Sequence, residues 1–347
     1  MSAAVETANG AGNLGYTRKD FVSDQDVRWC PGCGDYAILA QMQKVMPELG
    51  LRKENIVFVS GIGCSSRFPY YMDTYGFHTI HGRAPAVATG LRLARPDLSI
   101  WVVTGDGDGL SIGTNHLVHA LRRNVDIKIL LFNNKVYGLT KGQYSPTSDV
   151  GMVTKSSPGG VVAAPFSPPF LALGAQATFV ARSVDTDAQH LQAMLTRVAQ
   201  HKGAAFLEIY QNCPVFNDGA FDALKDRKRK SDEILELEHG QPLIYGVDRD
   251  KVVKLDPRTQ GLYPGKLGEN DGGVELVHDE HAPNPVIASL LAQHPAPGVP
   301  TPIGVFRAVE APTFDREVTR QQDAEVAKRG PGTLRELLEA GDRWQLS

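Results

Sequence analysis

Short runs of β-branched and large apolar residues recur along the first two-thirds of the chain, at 56–60, 100–104, 127–132, 177–181 and 205–210. Each is nearly uninterrupted, which reads as a strand covered on both faces and not as a half-exposed one. Between these runs lie stretches with helical spacing of apolar positions, at 36–45, 84–94, 114–123 and 188–201. Strand and helix in alternation predict an α/β fold with a doubly wound, mainly parallel sheet. Ligands of such sheets bind outside the carboxyl ends of the strands. The loops that begin at Gly61, Gly105 and Asn133 therefore belong to one functional rim.

The pattern fails in two places. Residues 140–169 are rich in Gly, Pro, Ser and Thr and show no period. A loop of that length inside a domain is usually functional or mobile, and it could close over a site like a lid. From about 240 to 302, Gly, Pro and Asp are frequent and periodicity is weak, which predicts an irregular C-terminal appendage; 333–340 resembles a short terminal helix. The organisation expected is an N-terminal arm (1–26) with a flexible start, a binding domain (27–218), and an extension (219–347) suited to subunit contacts.

The chain has 347 residues, 42% of them hydrophobic, which is ample for a buried core. Its 36 basic and 39 acidic residues nearly cancel, leaving a formal charge of −3 and no electrostatic footprint for nucleic acid. The basic run Lys225, Arg227, Lys228, Arg229, Lys230 reads as a solvated face, with a docking patch for an acidic protein as the alternative. The first sixteen residues lack the basic and apolar regions of a signal peptide, and no stretch approaches the roughly 18 apolar residues of a membrane helix. The expectation is a soluble cytoplasmic protein, not associated with membranes. In that compartment, Cys30, Cys33, Cys64 and Cys213 are better candidates for metal or redox work than for disulfides.

Cys30-Pro-Gly-Cys33 could be a redox dithiol, half a zinc site, or two ligands of an iron–sulfur cluster. Cys64 lies in a turn leaving the strand at 56–60, and Cys213 lies just beyond the strand at 205–210, so both sit at strand ends that can share the rim. Four thiolates suffice for one [4Fe–4S] cluster or one zinc ion. Only one pair is tight in sequence, whereas structural zinc usually brings two. That favours a cluster and leaves zinc open.

The strand at 100–104 runs into Gly105-Asp106-Gly107-Asp108-Gly109, and the strand at 127–132 ends in Asn133-Asn134. Gly-Asp-Gly, one helix, then Asn-Asn resembles the signature of thiamine-diphosphate enzymes. Mg²⁺ prefers oxygen ligands and bridges phosphates. Asp106 would give a carboxylate, Asn134 an amide oxygen and Val136 its main-chain carbonyl. A helix opening near Ser111 would aim free N–H groups at the phosphates. The competing reading is a plain Gly/Asp turn. A dinucleotide site is excluded because Leu110 stands where the third glycine is required, and no phosphate loop with Lys follows two glycines.

Taken together, Trp29-Cys30-Pro31-Gly32-Cys33-Gly34, the loop 61–65 with Cys64, and 105–108 followed by 133–143 (NNKVYGLTKGQ) resemble the β subunit of 2-oxoacid:ferredoxin oxidoreductases. The 2-oxoglutarate (KorB-type) branch is the most similar. The resemblance covers about 27–218, and the region 239–302 resembles the extended β subunits of actinobacterial type. It implies that Cys30, Cys33, Cys64 and Cys213 hold one [4Fe–4S] cluster, and that Asp106, Asn134 and Val136 hold Mg²⁺. Ile62, Gly63, Cys64, Ser65, His81, Gly107, Asp108, Gly138 and Leu139 would line the thiamine diphosphate site. Alone, His81 would more often be structural. The implied activity is coenzyme A-dependent oxidative decarboxylation of a 2-oxoacid, best 2-oxoglutarate to succinyl-CoA and CO2, with electrons leaving through the cluster. Alternatives are a pyruvate or broad-specificity enzyme, a non-redox thiamine decarboxylase or carboligase with structural zinc, and a non-catalytic zinc-binding module.

Partners follow in part from what is missing. Thiamine chemistry normally needs a glutamate against the aminopyrimidine ring, and no glutamate occurs between Glu54 and Glu208. The activating glutamate is therefore expected from another chain, which the resemblance supplies as an α subunit in an αβ or α₂β₂ assembly. With cysteines for one cluster only, electrons must pass to a separate carrier, ferredoxin. Lys141 leaves the magnesium loop directly after Tyr137-Gly138-Leu139-Thr140 and is the candidate for the second carboxylate of 2-oxoglutarate. The pyruvate branch tends to carry a neutral residue there. The competing reading is an ordinary exposed lysine.

Overall fold

The apolar runs pair into one eight-stranded sheet. In spatial order its strands are Tyr75–His78, Ile56–Ser60, Ser99–Gly105, Lys128–Asn133, Ala205–Tyr210, Phe179–Val184, Thr301–Ala308 and Ile234–Leu237. Neighbours run parallel except Phe179–Val184 against Thr301–Ala308. This arrangement comes from a computed structural model, which describes residues 14–226, 228–293, 298–342 and 344. The first thirteen residues of the N-terminal arm and Arg227 of the basic run lie outside the described residues.

Side chains alternate across the sheet with a period of two, so one strand feeds two cores. Val57, Val59, Ile100, Val102, Ile129 and Leu131 pack with Ala88, Leu117, Leu121 and Leu173 from helices Ala84–Ala94, Thr114–Arg122 and Pro168–Gly174. Phe58, Trp101, Val103, Leu130, Phe132 and Leu207 pack on the other face with Ile38, Met42, Leu191 and Leu195 from helices Asp35–Glu48 and Ala188–Gln200. Covering both faces is what makes the strands read as unbroken apolar runs, and it makes the sheet doubly wound as expected. Trp101 is fully buried, and truncating such a side chain to Ala costs about 3–5 kcal/mol.

The structure differs from the sequence reading in several places. Phe179–Val184 starts two residues later than expected, because Ala177 and Thr178 close the preceding turn: Ala177 N–H donates to Ala172, and Thr178 Oγ1 donates to Asn124 Oδ1 at 2.7 Å. No helix opens near Ser111. A single turn, Asp106–Leu110, begins at the motif itself, and the longer helix begins at Thr114. The segment after Gln143 is anchored at its start, since Ser145, Thr147 and Ser148 are buried.

Residues after Asp218 enter the main sheet twice, through Ile234–Leu237 and Thr301–Ala308. Between them, where irregular chain was expected, Ile244–Tyr245, Lys251–Leu255, Leu262–Lys266 and Val274–Glu275 form a small antiparallel sheet, followed by helix Val286–Ala292. Helix Phe314–Arg329 is tied back by Asp315, which accepts from Arg92 Nε at 2.9 Å and from the Asp126 N–H at 3.1 Å. The terminal helix is present at Leu334–Glu339, with a Thr333/Glu336 capping box. Within the basic run, Arg229 pairs with Glu233 and Lys230 with Asp187, as a solvated face would. Among the described residues, no helix is long and apolar enough to cross a membrane.

Candidate active site

The carboxyl ends of four adjacent parallel strands deliver their loops into one cleft of about 120 Å³. Ile62, Gly63, Cys64 and Ser65 follow Ile56–Ser60; Asp106, Gly107 and Asp108 follow Ser99–Gly105; Asn134, Val136, Gly138 and Leu139 follow Lys128–Asn133. His81 completes the wall, so every residue assigned to thiamine diphosphate or Mg²⁺ lines this one cleft. Gln211, which follows Ala205–Tyr210, lines it too.

Asp106 is buried, and its Oδ2 accepts from Thr147 Oγ1 at 2.6 Å. Burial pushes its carboxyl up to about 6, and no basic side chain contributes to offset that shift. A carboxylate so placed could serve as an oxygen ligand for a hard cation. The two asparagines divide the labour. Asn133 is engaged within the protein: its Nδ2 donates to Glu208 at 2.7 Å, its Oδ1 accepts from Lys135 N–H at 3.0 Å, and Thr147 Oγ1 lies 2.9 Å from the same oxygen. Asn134 Oδ1 accepts from Val136 N–H at 3.1 Å and keeps a second lone pair. Asp106, Asn134 and the Val136 carbonyl thus form a donor set that fits Mg²⁺.

Asp108 lines the cleft, as expected, and also fastens its walls. Its carboxylate accepts from Ile62 N–H at 3.1 Å, Gly82 N–H at 2.8 Å and Thr104 Oγ1 at 2.6 Å, and lies 2.6 Å from His81 Nδ1. Its Oδ1 fastens the two loops that carry Ile62 and Gly82. Gly61 has to be glycine for this, because a Cβ there would sit 1.8 Å from Asp108 Oδ2.

A second cavity, about 210 Å³, adjoins the first and is lined by Cys30, Cys33, Cys64 and Cys213. Cys64, Asn134, Gly138, Leu139 and Gln211 line both cavities. Gly138 is the thin wall between them: a Cβ would lie 3.4 Å from Cys64 Sγ and 3.7 Å from Cys213 Sγ. Trp29 Nε1 donates to the Cys64 carbonyl at 2.7 Å, and Gln211 Nε2 approaches Cys33 Sγ at 3.5 Å. Burial pushes the Cys33 thiol up and that of Cys64 up to about 12, so a metal centre bound there would have to displace their protons. Among the described residues, no three of these sulfurs lie within 4.8 Å of one another. Tetrahedral zinc, with Zn–S near 2.3 Å, needs thiolates about 3.8 Å apart, so the wider frame suits a cluster better.

Lys141 lies on the cysteine cavity and not on the cleft itself. It is exposed, with φ of 78°, in the turn joining Val136–Tyr137 to Gln143–Tyr144. Glu208, the glutamate closest in sequence to the motifs, is fully buried and bound to Arg182 Nε at 2.6 Å. Among the described residues, no glutamate lines the cleft. Sequence reasoning missed Thr147, Gln211 and Tyr137, whose hydroxyl donates to the Gly107 carbonyl at 2.8 Å. The only available signal for Thr147 was a Ser-Pro-Thr-Ser cluster, which marks a turn without saying what its hydroxyls bind.

The family described as thiamine pyrophosphate enzyme, C-terminal TPP binding domain, matches residues 61–209. The chain is 54% identical over 329 residues to 2-oxoglutarate oxidoreductase subunit KorB of Mycobacterium tuberculosis, covering 94% of this chain and 87% of that one. It is 46% identical over 192 residues to 2-oxoacid:ferredoxin oxidoreductase subunit beta of Saccharolobus solfataricus, covering 55% of this chain and 63% of that one. Among solved structures it is similar to a 2-oxoglutarate:ferredoxin oxidoreductase from Magnetococcus marinus with 2-oxoglutarate, coenzyme A and succinyl-CoA bound. The TM-score is 0.74 and the identity 31%, over 99% of this chain and 100% of that one.

Proposed function

The chain belongs to the β subunits of the 2-oxoacid:ferredoxin oxidoreductases, thiamine-diphosphate-dependent enzymes, and from that premise we propose that it catalyses, with an α subunit, the coenzyme A-dependent conversion of 2-oxoglutarate to succinyl-CoA and CO2. One observation carries the reading: the oxygen donors for Mg²⁺ and the four cysteines line two adjoining cavities that share five residues. Thiamine diphosphate supplies an electron sink for decarboxylation, and a [4Fe–4S] cluster a one-electron path toward ferredoxin.

In this reading Asp106, Asn134 and the Val136 carbonyl hold Mg²⁺, and Asp108 keeps the loops at 61–65 and 81–82 in register. Cys30, Cys33, Cys64 and Cys213 hold the cluster, with Gly138 keeping the wall between the two cavities thin. The α subunit supplies the activating glutamate and the rest of the cofactor pocket. The cleft of about 120 Å³ is well below the roughly 300–1,000 Å³ of complete ligand pockets, as a half-site should be. A cytoplasmic location, an αβ or α₂β₂ assembly, and subunit contacts made by residues beyond 218 belong to the same reading. The two named 2-oxoglutarate enzymes among the relatives support that substrate over pyruvate.

The test is anaerobic co-purification with the α subunit, followed by iron, sulfide and thiamine analysis and by turnover with 2-oxoglutarate and with pyruvate. The expected outcome is about four irons per β chain, absorbance near 400 nm that bleaches with dithionite, and faster ferredoxin reduction with 2-oxoglutarate. Zinc in place of iron, or turnover by the β chain alone, would refute the reading.

A further inference from the structure

We infer that this chain carries a second metal site, for a divalent transition metal of the zinc class, built from His239, Glu280 and His281. One ligand atom from each lies within 4.8 Å of the others, and the site is empty of any ion here. His239 follows strand Ile234–Leu237; Glu280 and His281 come just after the small antiparallel sheet. The three residues therefore bracket the whole excursion that carries that sheet.

The hydrogen-bonding of His281 is what separates this group from a chance meeting of surface charges. Its Nδ1 lies 2.6 Å from the Ala308 carbonyl, which can only accept, so Nδ1 carries the proton. In the neutral ring Nε2 is then a bare lone pair, and it lies 3.4 Å from Glu280 Oε1. Two acceptors facing each other repel unless a cation stands between them. A ring N–H anchored on a backbone carbonyl, with the other nitrogen free, is also the usual arrangement behind a metal-bound histidine.

The remaining groups are oriented in the same way. Glu280 is 5% exposed, and the Arg197 fork fixes it, Nη1 to Oε2 at 2.9 Å and Nη2 to Oε1 at 2.7 Å. The His239 ring centre lies 4.6 Å from that of His281, and His239 Nδ1 is 3.5 Å from Asp279 Oδ1. Two imidazoles and one carboxylate, with both histidines open to solvent, leave a fourth position for water, which suits Zn²⁺. Imidazole donors select zinc, nickel or copper over Mg²⁺ and Ca²⁺.

The site is remote from the cofactor rim. Ala308 pairs with Phe179, the first residue of Phe179–Val184, so the site sits at the amino end of the parallel strands and the cleft at the carboxyl end. A metal here would act as a clasp, joining the two ends of a long excursion and holding them to Thr301–Ala308. The clasp opposes the opening of the small sheet and takes no part in decarboxylation.

The experiment uses the iron-replete αβ enzyme, so that the cysteines are occupied, stripped of loose metal with a mild chelator and titrated with ZnCl2. Zinc and iron are counted in the same desalted samples, and the zinc K-edge X-ray absorption is recorded. The expected result is about one zinc per β chain with nitrogen and oxygen ligation, and a thermal midpoint that rises with zinc. His239→Ala removes an exposed side chain, so it should fold, keep its iron and keep its activity while binding zinc at least about 10-fold more weakly. His281→Ala should lose zinc as well. Retention below about 0.1 zinc per chain in wild type, sulfur ligation, or equal zinc binding in the wild type and His239→Ala would overturn the proposal. Because iron content and turnover are read separately, failure of the clasp is distinguishable from failure of the oxidoreductase reading.

Discussion

The two sides of the rim are built on different terms. On the magnesium side, polar groups are already engaged: Asp108 ties the loops at Ile62 and Gly82, and a chain of hydrogen bonds runs from Asp106 through Thr147 and Asn133 to the buried pair Glu208 and Arg182. On the cysteine side, the four sulfurs frame a cavity, and the polar support is sparse, chiefly Gln211 toward Cys33 and Trp29 toward the Cys64 carbonyl. The first side is preorganised by its own hydrogen bonds. The second is a frame for a group that brings its own bonds. Preorganisation is favourable where a small ion must be held in fixed geometry, whereas a cluster imposes its own geometry on its thiolates. Substitutions should therefore separate the two sides.

The largest effect is expected from Asp106→Ala. The diphosphate would lose the ion that neutralises it, and removing one partner of a buried charged contact costs about 2–5 kcal/mol. Thiamine diphosphate affinity at ordinary Mg²⁺ should fall by roughly 30-fold to several thousandfold, while iron per chain stays at the wild-type value. Calorimetric titration of the cofactor, with iron analysis of the same sample, checks both halves. A parallel loss of iron would mean that the two sides are one cooperative unit.

Cys213→Ser tests the division from the other direction. Cys213 lines only the cysteine cavity, whereas Cys64 lines both. Cys213→Ser should lose or destabilise the cluster, yet leave Mg²⁺-dependent cofactor binding within about 3-fold, since little else on the magnesium side touches it. Cys64→Ser should damage both. Full iron and normal electron transfer in Cys213→Ser would remove it from the ligand set.

This division also marks what the sequence could and could not convey. Strands 56–60 and 205–210 were legible to the residue because burial on both faces forces an uninterrupted apolar run, and the helix 84–94 because burial of one face forces a helical period. Strand Tyr75–His78 was not, since all four residues are exposed and only pairing with Ile56–Ser60 makes it a strand. Thr301–Ala308 was hidden by Pro302, Gly304 and Arg307, which break its apolar run and are accommodated by a register shift against Phe179–Val184. At the site, cysteines and acidic residues stood out because their chemistry admits few alternatives. Thr147 did not, because a threonine suits any turn. The resemblance already separated Asp106, for Mg²⁺, from Asp108, for the cofactor's surroundings; the fold adds that Asp108 also ties together the loops at Ile62 and Gly82.

Asp108→Asn sharpens that distinction and should be milder than Asp106→Ala. The amide can still accept, but it brings an NH2 toward groups that donate. Leaving one of these buried N–H groups unpaired costs about 1–3 kcal/mol. The expected outcome is a lower thermal midpoint, with cofactor affinity reduced by about 10-fold or less, through misplaced loops and not through a lost ligand. Excess Mg²⁺ should not restore it, because the defect lies in positioning. If Asp108→Asn matched Asp106→Ala in both respects, the assignment of separate roles would fail.

The smallest effect, and the finest test of the cysteine side, concerns Lys141. The residue lines the cysteine cavity beside Arg28 and Arg67, so it is one of three positive charges on that wall. It is exposed, and its left-handed backbone, φ 78°, holds it at the tip of a tight turn whose carbonyls at Tyr137 and Gly138 accept from Gly142 and Lys141. A substrate with a second carboxylate reaching across Gly138 toward this wall would gain from the charge. An exposed cation is screened, however, and its neighbours share the task, so the gain is modest. Lys141→Ala should lower kcat/KM for 2-oxoglutarate by about 2- to 5-fold and leave pyruvate unchanged. Lys141→Arg should restore most of the loss. Lys141→Gly relaxes the turn while removing the charge. If it behaves like Lys141→Ala, backbone strain is not the cause. Both substrates are measured side by side with reconstituted enzyme, at low and at high salt, because a charge contact weakens with ionic strength. Equal losses for the two substrates, or a loss that ignores salt, would make Lys141 a turn residue, and discrimination between 2-oxoacids would then rest on Arg28, Arg67 or the α subunit.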